Sequence, residues 1–148
     1  MVAAHGALVN VVPGAFDLVE WGDPPHATLS IMTTTFVGSC QCGNVAIEVE
    51  GTIHGALACN CSMCARRASL LWFVPRTSLR LKTPDEAAGT YQFNKHLIKH
   101  RFCPKCGIHV FGEGTDPKGN AVAAVNLRCI EDIDLATIPV QNFDGKAM

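Results

Sequence analysis

The stretch Phe102-Cys103-Pro104-Lys105-Cys106-Gly107 determines how this chain folds. Two residues between the cysteines let both thiolates face one metal ion, and the following glycine permits a positive-φ turn that brings backbone N–H groups toward sulfur. Such a turn is a zinc knuckle, and it supplies two ligands. Because a closed structural zinc site is tetrahedral, two further ligands must come from elsewhere in the chain.

The segment Cys40-Gln41-Cys42-Gly43 is the natural donor of the second pair. It is again followed by glycine, and its union with Cys103 and Cys106 closes a loop of about sixty residues, which is entropically costly in the unfolded chain. The free energy of metal binding there therefore contributes directly to the stability of the fold. Structural zinc contributes about 10–16 kcal/mol in small peptides, against a typical net stability of about 5–15 kcal/mol.

A third segment, CNCSMC at residues 59–64, offers three thiols in one loop. Three protein ligands and one open position are the arrangement of catalytic zinc, and zinc lowers the pKa of a bound thiol. The spacing therefore predicts that Cys59, Cys61 and Cys64 form a catalytic site. The alternative is a second structural site, closed by Cys129 or by a histidine such as His54 or His109.

Polar residues beside these segments are candidates for substrate binding. Arg66 and Arg67 follow the three-cysteine loop, and arginine is the side chain best suited to bidentate capture of a carboxylate; the alternative is a surface pair. Asn126 and Arg128 flank the end of an apolar strand. They are expected either to line a cavity at the three-cysteine loop or to satisfy buried backbone groups.

In the basic stretch NKHLIKHRF, residues 94–102, His96 and His100 are expected to be solvated. The basic run Lys95, Lys99, Arg101 and Lys105 is expected to be a solvated face, with binding of an anionic substrate as the alternative.

The eight cysteines are an even number, which also suits four disulfides in a secreted protein. Their tight clusters and the absence of a basic residue before the N-terminal apolar stretch favour metal ligands in a cytoplasmic protein. Charged residues make up 17% of the chain and the net charge is −1, so neither nucleic acid nor an anionic membrane is expected as a partner. No apolar run approaches the length of a membrane span.

Two regions differ in composition. Residues 1–31 contain three prolines, no cysteine and no clear period, which predicts a loosely ordered N-terminal extension, or alternatively a docked arm. Residues 32–148 are predicted to form a single zinc-binding domain.

Within this domain, Gly43–Gly51 alternates apolar and polar residues and is predicted to be a half-buried strand. Further short strands are predicted within 70–75, 78–81, 90–93, 109–112 and 121–127, with helical turns after Cys64 and near 132–136.

Five segments in order resemble the glutathione-dependent formaldehyde-activating enzyme family, which includes centromere protein V-like domains. They are GSCQCG (38–43), CNCSMCARR (59–67), FCPKCG (102–107), VNLRC (125–129) and FDG (143–145). The resemblance covers roughly residues 36–145. It implies a mainly β structure, the β-tent zinc-binding fold of antiparallel strands with few short helices.

The resemblance also implies the ligand sets and the activity. Structural zinc would be held by Cys40, Cys42, Cys103 and Cys106. Catalytic zinc would be held by Cys59, Cys61 and Cys64, giving two zinc ions per chain. The family activity is condensation of formaldehyde with glutathione to S-hydroxymethylglutathione, formally a carbon–sulfur lyase reaction in reverse. Gln41 stands where many members carry histidine, between two ligands, and we expect zinc binding to survive this difference.

Three functions follow as hypotheses. The first is a zinc-dependent lyase-type enzyme whose partner is a small thiol such as glutathione, with Arg66 or Arg67 holding a carboxylate. The second is a non-catalytic zinc-stabilised binding module, which predicts a fourth protein ligand at the second zinc. The third is a zinc or thiol redox sensor, which predicts oxidative zinc release from the three-cysteine loop.

Overall fold

Ten short β-strands form the framework of the structure, a computed structural model that describes residues 33–147. The predicted N-terminal extension, residues 1–31, lies outside this range. The strands are β1 Thr34–Ser39, β2 Ala46–Gly51, β3 Ala56–Cys59, β4 Leu71–Pro75, β5 Leu79–Leu81, β6 Gly89–Tyr91, β7 Lys99–Phe102, β8 His109–Thr115, β9 Ala121–Asn126 and β10 Val140–Phe143. The mainly β class expected from the sequence is confirmed.

Helical structure in the described residues is confined to short segments. The α-helix α1, Cys64–Arg67, is four residues long. Turns of 3-10 helix cover Arg76–Ser78, Asp85–Ala87, Leu127–Cys129, Leu135–Thr137 and Gly145–Ala147. Within residues 33–147, no helix has both the length and the apolar character needed to cross a membrane.

The strands form two sheets. One has three strands in the order β1-β2-β5, and the other has seven in the order β10-β3-β4-β9-β8-β7-β6. Neighbouring strands pair antiparallel throughout, except that β10 pairs parallel with β3. The C-terminal strand is thereby placed beside Cys59, since Phe143 and Cys59 are register partners.

The hydrophobic core lies between the sheets. Along β2 and the residue before it, Val45, Ile47 and Val49 are fully buried, as the period of two predicts for a strand with one apolar face. The rings of Phe36 on β1 and Trp72 on β4 meet edge to face with centroids 5.5 Å apart. Aromatic pairs in this geometry add to the energy of burial, so this contact helps to join the two sheets.

The basic run is exposed at Lys95, Lys99 and Lys105, as expected of a solvated face, but Arg101 on β7 is buried. Arg101 is 6% exposed and lies over the ring of Phe111, with 5.9 Å between its guanidinium carbon and the ring centroid. Its Nη2 lies 2.7 Å from a carboxylate oxygen of Asp85, and its Nη1 lies 3.6 Å from Glu113. Charged residues are rarely buried unless paired, and these partners are distant in sequence, so composition alone missed them.

Candidate metal centres

The four-cysteine group joins two turns that are far apart in sequence. Cys40 and Cys42 follow β1, while Cys103 and Cys106 lie between β7 and β8. Their four sulfur atoms lie within 4.8 Å of one another. Cys42 Sγ is 3.7 Å from Cys40 Sγ and 3.6 Å from Cys103 Sγ. A tetrahedron with zinc–sulfur bonds of about 2.3 Å has edges of about 3.8 Å, so the spacing suits a zinc ion.

Both turns use backbone N–H groups to support the sulfur atoms. The amide of Val45 donates to Cys40 Sγ at 3.2 Å, and that of Cys106 donates to Cys103 Sγ at 3.4 Å. The glycines that end the turns, Gly43 and Gly107, have φ of +75° and +79°, which strains any residue with a Cβ. Amide donors stabilise thiolates, so the pair of turns could hold a metal ion.

The three-cysteine group lies where β3 ends and α1 begins. Cys59 is the last residue of β3 and Cys64 the first of α1, and the three sulfur atoms lie within 4.8 Å of one another. Amides again face sulfur, because Cys61 N donates to Cys59 Sγ at 3.4 Å and Cys64 N to Cys61 Sγ at 3.5 Å. All three residues are partly exposed. The group is therefore accessible from solvent.

The three thiols compete for their protons. Hydrogen bonds with Cys59 and Cys64 lower the pKa of Cys61, whereas hydrogen bonds with Cys59 and Cys61 raise the pKa of Cys64. Three thiolates this close repel one another unless a cation lies between them. A divalent ion that prefers sulfur removes this conflict, so the donor set fits zinc.

The C-terminal segment closes over the three-cysteine group. Asn60 Nδ2 donates to Asp144 Oδ1 at 2.8 Å, and Asn60 Oδ1 accepts from Lys146 N at 3.0 Å. Between these contacts, a Cβ on Gly145 would lie 2.6 Å from Cys59 Sγ and 2.9 Å from Cys61 Cβ. Only glycine fits at this distance. The FDG motif thus has a physical role that its sequence does not reveal.

Cys129 belongs to neither group. Its buried sulfur contacts the carbonyl oxygen of His109 at 3.5 Å and Asn126 Nδ2 at 3.6 Å. Burial, with smaller contributions from Cys40 and Cys106, raises its pKa to about 11. Cys129 therefore lies near the four-cysteine group. Among residues 33–147, the His, Cys, Asp and Glu side chains add no fourth member to the three-cysteine group.

The four residues predicted to bind substrate are in different situations. Arg66 is exposed and its Nη1 donates to Ser62 O at 2.7 Å, while Arg128 is exposed and its Nε donates to Ala68 O at 2.9 Å. Asn126 is buried, donates to His109 O at 2.9 Å and accepts from Arg128 N at 3.2 Å. Arg67 differs from them, since its Nη1 is buried and has no hydrogen-bond partner.

Two histidines lie near Arg67, and of these only His109 was considered as a site residue from the sequence, as an alternative fourth ligand, which the structure does not place in the three-cysteine group. His100 was expected to be solvated, yet its Nε2 is buried without a partner, and its ring stacks on Phe93 with centroids 5.5 Å apart. His109 is 8% exposed, and neither ring nitrogen has a partner. Burial, together with the charge of Arg67, lowers the pKa of His100 to about 4 and that of His109 to about 3.

Comparison with known proteins agrees with this architecture. The family model described as glutathione-dependent formaldehyde-activating enzyme matches residues 35–143. A crystal structure of a Rhodobacter sphaeroides protein is similar in fold, with a TM-score of 0.62 and 30% sequence identity over 71% of this chain and 99% of that chain. The matched segment contains all seven cysteines of the two groups. The chain belongs to the glutathione-dependent formaldehyde-activating enzyme family.

Proposed function

We propose that the protein is a zinc-dependent enzyme of the carbon–sulfur lyase type, which condenses glutathione with formaldehyde to S-hydroxymethylglutathione. The observation that supports it most is the difference between the two cysteine groups. One gathers four sulfur ligands, and the other gathers three partly exposed ones with no fourth among the described His, Cys, Asp and Glu residues. Catalytic zinc sites keep such an open position, whereas structural sites are closed.

The proposed reaction balances without a further reactant. The substrate sulfur adds to the carbonyl carbon, a carbon–sulfur bond forms, the C=O double bond becomes single, and the thiol proton ends on the new hydroxyl oxygen. A zinc ion at Cys59, Cys61 and Cys64 would lower the pKa of the substrate thiol so that sulfur reacts as thiolate. The chain contributes Arg67, whose positive charge interacts with Cys64 and Cys61 and favours negative charge at this place.

A second zinc ion at the four-cysteine group would have a structural role in this proposal. That group joins the end of β1 to the turn between β7 and β8, and so connects the three-stranded sheet to the seven-stranded one. The eight cysteines form no disulfide bond in the structure. Because cysteines remain without disulfides in reducing compartments, we place the enzyme in the cytoplasm.

The test is zinc stoichiometry with and without millimolar glutathione, combined with X-ray absorption at the zinc edge. We expect two zinc ions per chain and one added sulfur in the shell of the second ion when glutathione is present. Catalysis is then measured as formation of S-hydroxymethylglutathione above the spontaneous rate. Cys129→Ser is the matched cysteine control, since Cys129 belongs to neither group, and it should retain both ions.

Two results would reject the proposal. A second zinc shell that already has four protein ligands and ignores glutathione would favour a non-catalytic binding module. Normal zinc and thiol binding with no acceleration of the condensation would reject the reaction while leaving the site intact.

A redox sensor is the second candidate, and the partial exposure of Cys59, Cys61 and Cys64 favours it. Accessible thiolates are the ones that peroxide oxidises first. Peroxide titration distinguishes the two functions. A sensor releases one zinc ion reversibly at low peroxide and does not accelerate the condensation.

A further inference from the structure

Arg67 carries a charge that no carboxylate offsets. It ends α1, one helical turn after Cys64, so the same short helix places a zinc-type ligand and a guanidinium on neighbouring positions. Its Nη1 is buried without a hydrogen-bond partner, and no Asp or Glu in residues 33–147 forms an ion pair with it. The groups whose charge acts on it are Cys64, Tyr91 and Cys61. No group in the described part of the chain therefore accepts a hydrogen bond from this nitrogen.

His100 and His109 present further unused nitrogen atoms in the same region. Their ring centroids are 5.8 Å apart, and the charge of Arg67 acts on both rings. His100 Nε2 and both ring nitrogens of His109 are buried without partners. Buried polar groups are nearly always hydrogen-bonded, so several such nitrogens in one place indicate a binding site for a small polar group.

Aromatic stacking holds His100 in place. Its ring lies on Phe93 at 19° between planes, and Phe93 lies on Tyr91 with centroids 5.9 Å apart. Two hydrogen bonds connect the histidine pair with the end of α1 that carries Arg67, because Asn126 Nδ2 donates to His109 O at 2.9 Å and Arg128 Nε donates to Ala68 O at 2.9 Å. Neutral imidazole always carries one N–H. A rigidly held His100 beside the Arg67 guanidinium is therefore a preorganised pair of N–H donors.

We propose that Arg67, His100 and His109 form an anion-binding subsite beside the three-cysteine group, which binds a carboxylate of the thiol substrate. This inference rests on the proposed function, because that function supplies a substrate with both a thiol and carboxylates. Arginine binds carboxylate through two parallel N–H bonds, and neutral histidines can complete the set of donors without adding charge. Arg66 and Arg128 donate to backbone carbonyls and are not part of the subsite.

The experiment compares two ligands by calorimetry on the zinc-loaded full chain. Glutathione carries both carboxylates, and its diethyl ester carries neither while keeping the thiol. We expect glutathione to bind at least about tenfold more tightly, as a charge-assisted hydrogen bond predicts. Arg67→Gln should remove most of this preference with zinc content unchanged, and Arg67→Lys should keep part of it.

Matched controls separate the subsite from other effects of charge. Arg80→Gln removes the same charge from an exposed arginine on the three-stranded sheet and should keep the full preference. His100→Gln serves if Arg67→Gln does not fold, and we expect it to lower the preference about threefold, as for one neutral hydrogen bond.

Three results would overturn the subsite, and they differ in what they mean for the function. Zinc-loaded Arg67→Gln and His100→Gln that keep the full preference would reject the subsite alone. An equal loss of affinity for both ligands, or loss of zinc, would show that Arg67 only balances the charge of the cysteines. Wild-type protein that binds neither ligand would reject the proposed function and the subsite together.

Discussion

The two cysteine groups show how similar local chemistry produces different sites. Both place amide donors against sulfur at 3.2–3.5 Å. The four-cysteine group combines two turns from opposite ends of a long loop and includes two buried cysteines. The three-cysteine group takes all its ligands from one segment, and none of them is buried. Joining distant segments stabilises a fold, whereas a single partly exposed segment leaves a place for a ligand.

The comparison predicts its largest effect at the four-cysteine group. Cys106→Ser removes one of the sulfur atoms that join the two turns, and we expect complete loss of soluble, cooperatively folded protein. The reason is that the free energy of metal binding at a site that closes a long loop contributes directly to the stability of the fold. Soluble yield and thermal unfolding by circular dichroism measure the outcome. If the variant had the same melting temperature as wild type, the four-cysteine group would have no structural role.

A smaller effect is expected at the three-cysteine group. Cys61→Ser removes the sulfur that lies between Cys59 and Cys64 in the loop, and the protein should remain folded with one zinc ion fewer. All ligands of this group come from within six residues, so the metal closes only a short loop and contributes less to folding. Elemental analysis and a thermal melt check this. If Cys61→Ser and Cys106→Ser behaved alike, the division into two kinds of site would be wrong.

The smallest effect is expected where the C-terminal segment covers the loop. Gly145→Ala places a Cβ 2.6 Å from Cys59 Sγ, so the segment or the sulfur must shift. We expect weaker zinc retention at the three-cysteine group by roughly tenfold, equivalent to about 1.4 kcal/mol, with little change in melting temperature. Zinc release to a chelator measures it. Gly114→Ala is the control, since its Cβ meets only ordinary contacts, the nearest at 3.6 Å. If both variants released zinc equally, Gly145 would have no role in zinc retention.

Sequence reasoning worked best where the signal was local. The alternation of Val45, Ile47 and Val49 predicted a strand with one buried face, and the structure has it. The cysteine spacings predicted two groups, which the structure gathers as expected. Four strands were not predicted. Three of them, β3, β7 and β10, have four residues each, too short for a period of two to be recognised, and in the six-residue β1 the adjacent Phe36 and Val37 interrupt the alternation.

The sequence by itself determined the mainly β class, the family and the assignment of seven cysteines to two groups, because strand alternation and cysteine spacing are short-range properties and a closed zinc site needs four ligands. Only the tertiary structure decided that Cys129 lies near the four-cysteine group, that Gly145 lies against Cys59, and that Arg67 shares a region with His100 and His109. Each of these depends on which distant strands pair. Strand pairing results from burial of side chains over the whole molecule, and no local pattern encodes it.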